Sequence, residues 1–373
     1  MNPIYFDNAA STPVDPEVVQ TMTDALENLF ANPSSLHSLG RRSKAAIENA
    51  RIAIASACGC QPAEVIFTSG GTEANNLILR GGARAGGISH VITSKIEHKA
   101  VLDTVADLDI DEISYVKLDE RGVIDLDDLA RLLDKSAGKT TLVSLMHGNN
   151  EIGNVNDIRA IGRLVGARGA LFHSDMVQTL GKCAIDLSDL PVHFASFSAH
   201  KIYGPKGAGF AYIKKGTPVA PQLTGGGQER DKRSGTENIC AILGMAKAVA
   251  LMVQRQRADF EQISDVKRYL IAQIEAHLPE VEFNGQSQGA QSLCNLVSIQ
   301  LPGSYPMIHF QLDLNDIAVS AGSACSSGAT KLASVAAVLG IENTAIRVSL
   351  NRYNTKAEVD VFVKKLRDLL RPE

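Results

Sequence analysis

Between residues 65 and 198, short apolar runs alternate with stretches of helical periodicity, and this alternation restricts the possible folds more than any other feature. The runs fall at 65–68, 91–93, 142–146, 170–173 and 194–197. Each is too short for a helix, and apolar enough to be buried on both faces as a strand. Helix-like stretches lie between them at 72–80, 99–108, 126–133 and 157–167. Parallel strands need crossover connections, and helical crossovers cover both faces of the sheet. The reading is therefore α/β, with a mostly parallel sheet.

The 373 residues exceed what one ordinary core encloses, so two domains are expected. From about Thr236 the pattern changes. Two long helical segments follow, at 238–255 and 259–277. After them come strand-like runs at 297–301, 317–319 and 346–350, a short helix at 307–312 and an amphipathic closing helix at 356–370. This second part reads as a smaller α/β domain.

A net charge of −4 gives no basic footprint for nucleic acid. The chain begins Met1-Asn2-Pro3 and reaches Asp7 without a basic segment leading into an apolar run, so a secretory signal is not expected. No apolar stretch approaches the roughly 18 residues of a spanning helix, and the expected location is the cytoplasm. Six cysteines, at 58, 60, 183, 240, 294 and 325, do not have the spacing of a disulfide framework. Cys58 and Cys60 form a C-x-C pair, a weak metal signal by itself.

Several motifs sit where α/β sheets place ligands, just past strand ends. Ser198-Ala199-His200-Lys201 runs into the Gly/Pro-rich Tyr203-Gly204-Pro205-Lys206-Gly207. A lysine amine of lowered pKa can form a Schiff base with an aldehyde cofactor. A solvated loop lysine is the plain alternative, and Lys206 shows the ambiguity. Asp175 closes the run at 170–174, with Gln178 three residues on. Its carboxylate could keep a pyridine nitrogen protonated, or cap a helix. Ser69-Gly70-Gly71-Thr72 joins a strand to a helix. Free N–H groups at the helix start favour phosphate, although an ordinary tight turn fits equally well. Glu97-His98-Lys99 offers a histidine for ring stacking or proton shuttling, or simply a hydrogen-bonded loop residue. Asn149-Asn150-Glu151 could orient a substrate or form a turn.

Two more motifs fall in the second part. Ala321-Gly322-Ser323-Ala324-Cys325-Ser326-Ser327-Gly328 is a run of small residues around one thiol. An accessible thiol near positive charge becomes a nucleophile, and a chance cysteine is an even alternative. Ile346-Arg347-Val348-Ser349-Leu350-Asn351-Arg352 carries two arginines. Arg347 shares a strand face with Ser349. A guanidinium there could grip a carboxylate with two parallel hydrogen bonds, or form a surface ion pair.

Each motif is weak singly, but their order is specific. Together with Tyr5-Phe6-Asp7-Asn8-Ala9-Ala10, Asn32-Pro33-Ser34-Ser35, Gly225-Gly226-Gly227-Gln228-Glu229 and Arg233-Ser234-Gly235-Thr236, the chain resembles cysteine desulfurases of the NifS/IscS type. These belong to the class V aminotransferase group of fold-type I pyridoxal-phosphate enzymes. The resemblance spans essentially the whole chain. It implies a large cofactor-binding domain at 14–254 with a mostly parallel seven-stranded sheet. Residues 1–13 and 255–373 would form the small domain that carries the Cys325 loop.

The resemblance also implies roles. Lys201 would carry pyridoxal 5'-phosphate and remove the substrate's α-proton. Asp175 would pair with the pyridine nitrogen, Gln178 would bond the phenolic oxygen and His98 would stack on the ring. Gly71, Thr72, Ser198 and His200 would hold the phosphate, with Thr236 supplied by the other subunit of a homodimer. Asn150 and Arg347 would orient L-cysteine. Cys325 would take the sulfur as a persulfide and pass it to an acceptor protein, an Fe–S scaffold among the candidates. No metal, membrane or nucleic acid is expected. Two departures stand out: Met176-Val177 replace the family's usual Ala and small or polar residue, and the chain ends soon after its last helix, without the extension that commonly docks the Fe–S scaffold. The alternatives are a selenocysteine lyase, another class V enzyme, or a non-catalytic sulfur-pathway scaffold.

Overall fold

The computed structural model describes residues 3–321 and 335–371. Its strands are β1 Ile4–Tyr5, β2 Val65–Thr68, β3 His90–Thr93, β4 Glu112–Tyr115, β5 Thr141–Ser144, β6 Leu171–Asp175, β7 Phe194–Ser198, β8 Gly209–Ile213, β9 Glu282–Phe283, β10 Leu296–Gln300, β11 Ile317–Ala318, β12 Ser320–Ala321 and β13 Ala345–Ser349. Its α-helices are α1 Pro16–Asn28, α2 Ser38–Cys58, α3 Gly71–Gly86, α4 Lys99–Ala106, α5 Leu126–Lys135, α6 Ile158–Gly166, α7 Ile239–His277, α8 Ile308–Asp313, α9 Val335–Val338 and α10 Lys356–Leu370.

Seven strands form the large sheet, in the order β2-β8-β7-β6-β5-β3-β4. The pairings β3–β4, β3–β5, β5–β6 and β6–β7 are parallel. Only β8 runs against its neighbours, so β2 points the same way as β7. The expected mostly parallel, seven-stranded sheet is thus present. Strands β5, β7 and β8 are buried throughout, because apolar clusters cover both faces. Ile92, Val143, Phe172 and Phe197 belong to one cluster, and Val91, Leu142 and Phe194 to the other. Phe197 and Phe210 stack at 4.4 Å between ring centroids, across the antiparallel β7–β8 pair. Burying a side chain of this size contributes about 1.5–3 kcal/mol.

The second part has a four-stranded sheet, β12-β13-β10-β9, whose pairings are all antiparallel. β1 pairs in parallel with β11, and Phe6 meets Phe362 of α10 edge-to-face. The N-terminal segment thus packs with the C-terminal part of the chain. The starts of α1 and α10 follow ordinary capping chemistry. Asp15 accepts from the Glu17 N–H ahead of α1, and Thr355 with Glu358 forms a reciprocal box ahead of α10.

The continuity of one helix differs from the sequence expectation. The two helices at 238–255 and 259–277 are a single 39-residue helix, α7. The polar stretch Gln254-Arg255-Gln256-Arg257 contains neither Gly nor Pro, so polarity alone does not break the helix. The buried face changes partner instead: Ala241–Leu251 contributes to the large-sheet core, whereas Ile263, Val266, Leu270 and Ile274 join the cluster around the small sheet. α7 is also long and apolar enough, by length and composition alone, to cross a membrane, which the sequence reading did not anticipate. Of its most apolar stretch, 44% is buried inside the fold.

Candidate active site

β2, β3, β5, β6 and β7 all point to one rim of the large sheet, and the loop after each delivers a residue to the same place. A cavity of about 410 Å³ opens there, lined by Gly71 and Thr72 after β2, His98 after β3, Asn150 after β5, Asp175 and Gln178 at the end of β6, and Ser198, His200 and Lys201 after β7. Arg347 of β13 closes it from the small sheet, and Ala9 and Ala10 line it from the N-terminal segment. Thr236 instead lines a separate cavity, together with Thr68, Ser69 and Arg233. Cys325 lies outside the described residues.

Lys201 ends a 3-10 turn, Ala199–Lys201, directly after β7. Its Nζ donates to the carbonyl oxygens of Ala9 at 2.5 Å and Ala10 at 2.7 Å. Burial, reinforced by the charges of Lys182 and Arg347, pulls its pKa down to about 7. The amine is therefore substantially unprotonated near neutral pH, as a nucleophile or base requires. Lys206, five residues on, is exposed and away from the cavity. Two residues past Lys201, Tyr203 has φ 64°, a left-handed backbone that costs a non-glycine residue about 1–2 kcal/mol.

Asp175 sits at the cavity floor, where Oδ2 accepts from Asn75 Nδ2 at 2.7 Å and Oδ1 from the Val177 N–H at 3.0 Å. Two donors, one on each oxygen, fix the plane of the carboxylate. Gln178 Nε2 donates to the Ala9 carbonyl at 2.9 Å, and its Oε1 has no protein partner. His98 caps α4, its Nδ1 accepting from the Ala100 N–H at 3.0 Å. That bond leaves a neutral ring's proton on Nε2. His200 is held near pKa 4 by burial and by the charge of Lys201, so its imidazole is neutral at physiological pH.

The start of α3 is open. Its N-cap is Gly70, at φ 153°, and no side chain caps it. A Cβ on Gly71 would lie 2.6 Å from Val177 Cγ2, and a Cβ on Gly209 would lie 2.7 Å from Gly70 Cα. The glycines thus let the turn lie tight against β8 and the β6 loop, with uncapped N–H groups at the start of a 16-residue helix.

Arg347 is 8% exposed. Nη1 donates to the Asn150 carbonyl at 2.8 Å, and Nη2 to Asp7 Oδ1 at 2.8 Å and Ser320 Oγ at 2.9 Å. Its Nε has no protein partner. Behind His98, Glu97 is 4% exposed. Its Oε1 accepts from Ser94 Oγ and the Met146 N–H, both at 3.0 Å. Burial pushes the Glu97 carboxyl up to about 8.

The sequence reading missed Asn75, Asp7, Glu97 and the Ala9 and Ala10 carbonyls. Asn75 was findable: it lies four residues after Gly71, on the same helix face. The carbonyls leave no signature in residue type.

The Aminotransferase class-V profile matches residues 4–362. The cysteine desulfurase IscS of Dictyoglomus turgidum is 39% identical over 98% of this chain and 94% of its own length. Among solved structures, a NifS-like protein superposes with a TM-score of 0.90 at 36% identity, covering 99% of both chains. SspA, solved in complex with cysteine, superposes with a TM-score of 0.77 at 29% identity, over 94% of this chain and all of that one. Rim, cavity and full-length similarity agree: the chain belongs to the class-V aminotransferase family, among the IscS/NifS cysteine desulfurases.

Proposed function

We propose that this protein is a pyridoxal-phosphate-dependent cysteine desulfurase. It converts L-cysteine to L-alanine and holds the sulfur as a persulfide on Cys325 before passing it to an acceptor protein. The observation that carries the reading is Lys201: a half-buried amine of lowered pKa in a cavity that also holds a fixed carboxylate and an open helix start.

The residues present fit the cofactor. The uncapped start of α3, with Thr72, Ser198 and His200, suits a phosphate. Asp175 suits a protonated pyridine nitrogen, and the unpartnered Gln178 Oε1 is a polar atom awaiting a ligand. His98 is placed for a ring face. Bound there, pyridoxal phosphate supplies an electron sink for the charge that develops at the substrate's α-carbon.

The chain's own groups do the rest. Arg347 takes the substrate carboxylate, and Asn150 orients it. Lys201, as free amine, accepts the α-proton. The Cys325 thiolate bonds to the substrate sulfur, the carbon–sulfur bond breaks with its electron pair staying on carbon, and protonation completes alanine. Sulfur leaves as a Cys325 persulfide, so no outside oxidant is needed.

A homodimer is part of the same reading. Thr236 does not reach its own chain's cavity. Leu26, Phe30 and Leu36, around the end of α1 and the start of α2, are 65%, 77% and 89% exposed, an apolar surface that a second copy would cover. The acceptor belongs to sulfur delivery, Fe–S assembly included, and the expected compartment is the cytoplasm.

Mass spectrometry after a single turnover with L-cysteine tests the assignment: the added sulfur should lie on the peptide containing Cys325. Cys325→Ala should stay yellow and lose alanine production. Alanine at the parent rate from that variant, with a physiological reductant present, would overturn the persulfide step.

A further inference from the structure

Arg352 follows β13, five residues after Arg347, yet it does not line the cavity. Its Nη2 lies 2.6 Å from Asp15 Oδ2, and its Nη1 lies 2.9 Å from Asp259 Oδ2 of α7. Its guanidinium sits 3.8 Å from the centroid of the Tyr203 ring, and its backbone N–H donates to the Tyr203 hydroxyl at 3.1 Å. Tyr203 is thus the meeting point of three segments. Its N–H donates to Thr12 Oγ1 at 2.8 Å, and its carbonyl accepts from the Asp15 N–H at 3.0 Å. Asp15 also pairs with Arg255, so the cluster ties α7, the N-terminal segment and the β13 end to one aromatic ring.

The Tyr203 backbone is left-handed, a conformation that persists only where surrounding contacts over-determine it. Those contacts lie two residues from Lys201, among residues that do not line the substrate cavity. The Thr12 N–H also donates to the His200 carbonyl at 2.9 Å, so the turn is gripped on either side of the lysine. The Arg352 side chain is 8% exposed, and Asp15 is 3% exposed. A guanidinium can stack on the ring and pair with two carboxylates at once, whereas an ammonium lacks the planar fork.

We propose that Arg352 is a positioning residue for Lys201: by stacking on Tyr203 and pinning it between Asp15 and Asp259, it fixes the turn from which the lysine enters the cavity. The inference rests on the reading of Lys201 as the cofactor-bearing base. Arg352 touches neither the cavity lining nor the lysine, so it acts through Tyr203. Its effect lies in geometry and water exclusion, and a lysine at 352 keeps the charge while losing both.

The test compares the full-length parent with Arg352→Lys and Tyr203→Asn. Asparagine tolerates the left-handed backbone, so Tyr203→Asn removes the ring without forcing the turn to refold. Capture of pyridoxal phosphate by the cofactor-free protein, followed across pH, reads the free amine of Lys201. The parent midpoint is expected at about 7. Both variants should move it up by about one unit as water enters. In the cofactor-loaded protein, kcat should fall about tenfold or more, with KM for cysteine changed far less. A merely structural role would lower the thermal midpoint and leave the pH midpoint in place. A folded Arg352→Lys or Tyr203→Asn with parental kcat and parental pH midpoint overturns the proposal. The underlying reading is checked separately: if Lys201→Ala still captures the cofactor and turns yellow, that reading fails whatever Arg352 does.

Discussion

The two sheets face the same cavity in opposite states. The large sheet presents open groups: a helix start without a side-chain cap, Gln178 Oε1 and Asn75 Oδ1 without partners. The small sheet presents Arg347 largely engaged, its two terminal nitrogens shared among Asn150, Asp7 and Ser320 while Nε has no partner. An anion at α3 finds donors already aimed and free. A carboxylate at Arg347 shares the guanidinium with Asp7, which already holds Nη2. The large-sheet half therefore suits a group that stays, and the small-sheet half a group that comes and goes.

The largest expected effect lies on the large-sheet side. Lys201→Ala should abolish the yellow colour and lower alanine formation by about 10³-fold or more, since it removes both attachment and base. An absorption spectrum and an alanine assay check this. On the small-sheet side, Arg347→Lys loses the paired hydrogen bonds of a guanidinium, about 1.5–3 kcal/mol. KM for cysteine should rise about 10- to 100-fold while the colour stays. A colourless Arg347→Lys would break the contrast, because the two halves would then share one task.

Asp7→Asn is the sharper probe. It releases a competitor from Arg347, worth at most about 1 kcal/mol for such a pair, so KM should fall by up to about fivefold. Asp7 also raises the Lys201 pKa, so the acid limb of the pH–rate profile should move to lower pH. A rise in KM would show that Asp7 holds Arg347 in place rather than competing for it.

The smallest effect concerns stability. The Glu97 carboxyl has its pKa raised in the fold from 4.5 to about 8. Between those values the folded state holds a proton that the unfolded state has lost, so stability falls as pH rises through this window. Glu97→Gln removes that dependence. It should melt close to the parent at pH 5 and above it at pH 8, by calorimetry. Equal melting at both pH values would mean that Glu97 ionises in place.

Much of this was legible from residue type. Strands β2, β3, β5, β6 and β7 announce themselves as apolar runs, and the residues after them are the ones the cavity gathers. β4 was not read, because Glu112-Ile113-Ser114-Tyr115 is a part-exposed edge strand without a continuous apolar run. The continuity of α7 was hidden by a polar stretch that marks a change of packing partner, not a break in the backbone. Asp7 sat in a quoted motif but had no visible task, because its partner Arg347 lies 340 residues away. Glu97, beside His98, gives no signal of its own, since nothing in sequence distinguishes a buried carboxyl from a solvated one.

The resting place of the Lys201 amine is made of amide oxygens, those of residues 9 and 10. A mutational scan changes side chains and leaves such oxygens where they are, so this anchor would pass unseen through even a saturating library. Exchanging a single amide for an ester, which weakens the carbonyl as an acceptor, would reveal it. Genetic tolerance at the start of the chain is therefore no measure of how much chemistry that segment supports.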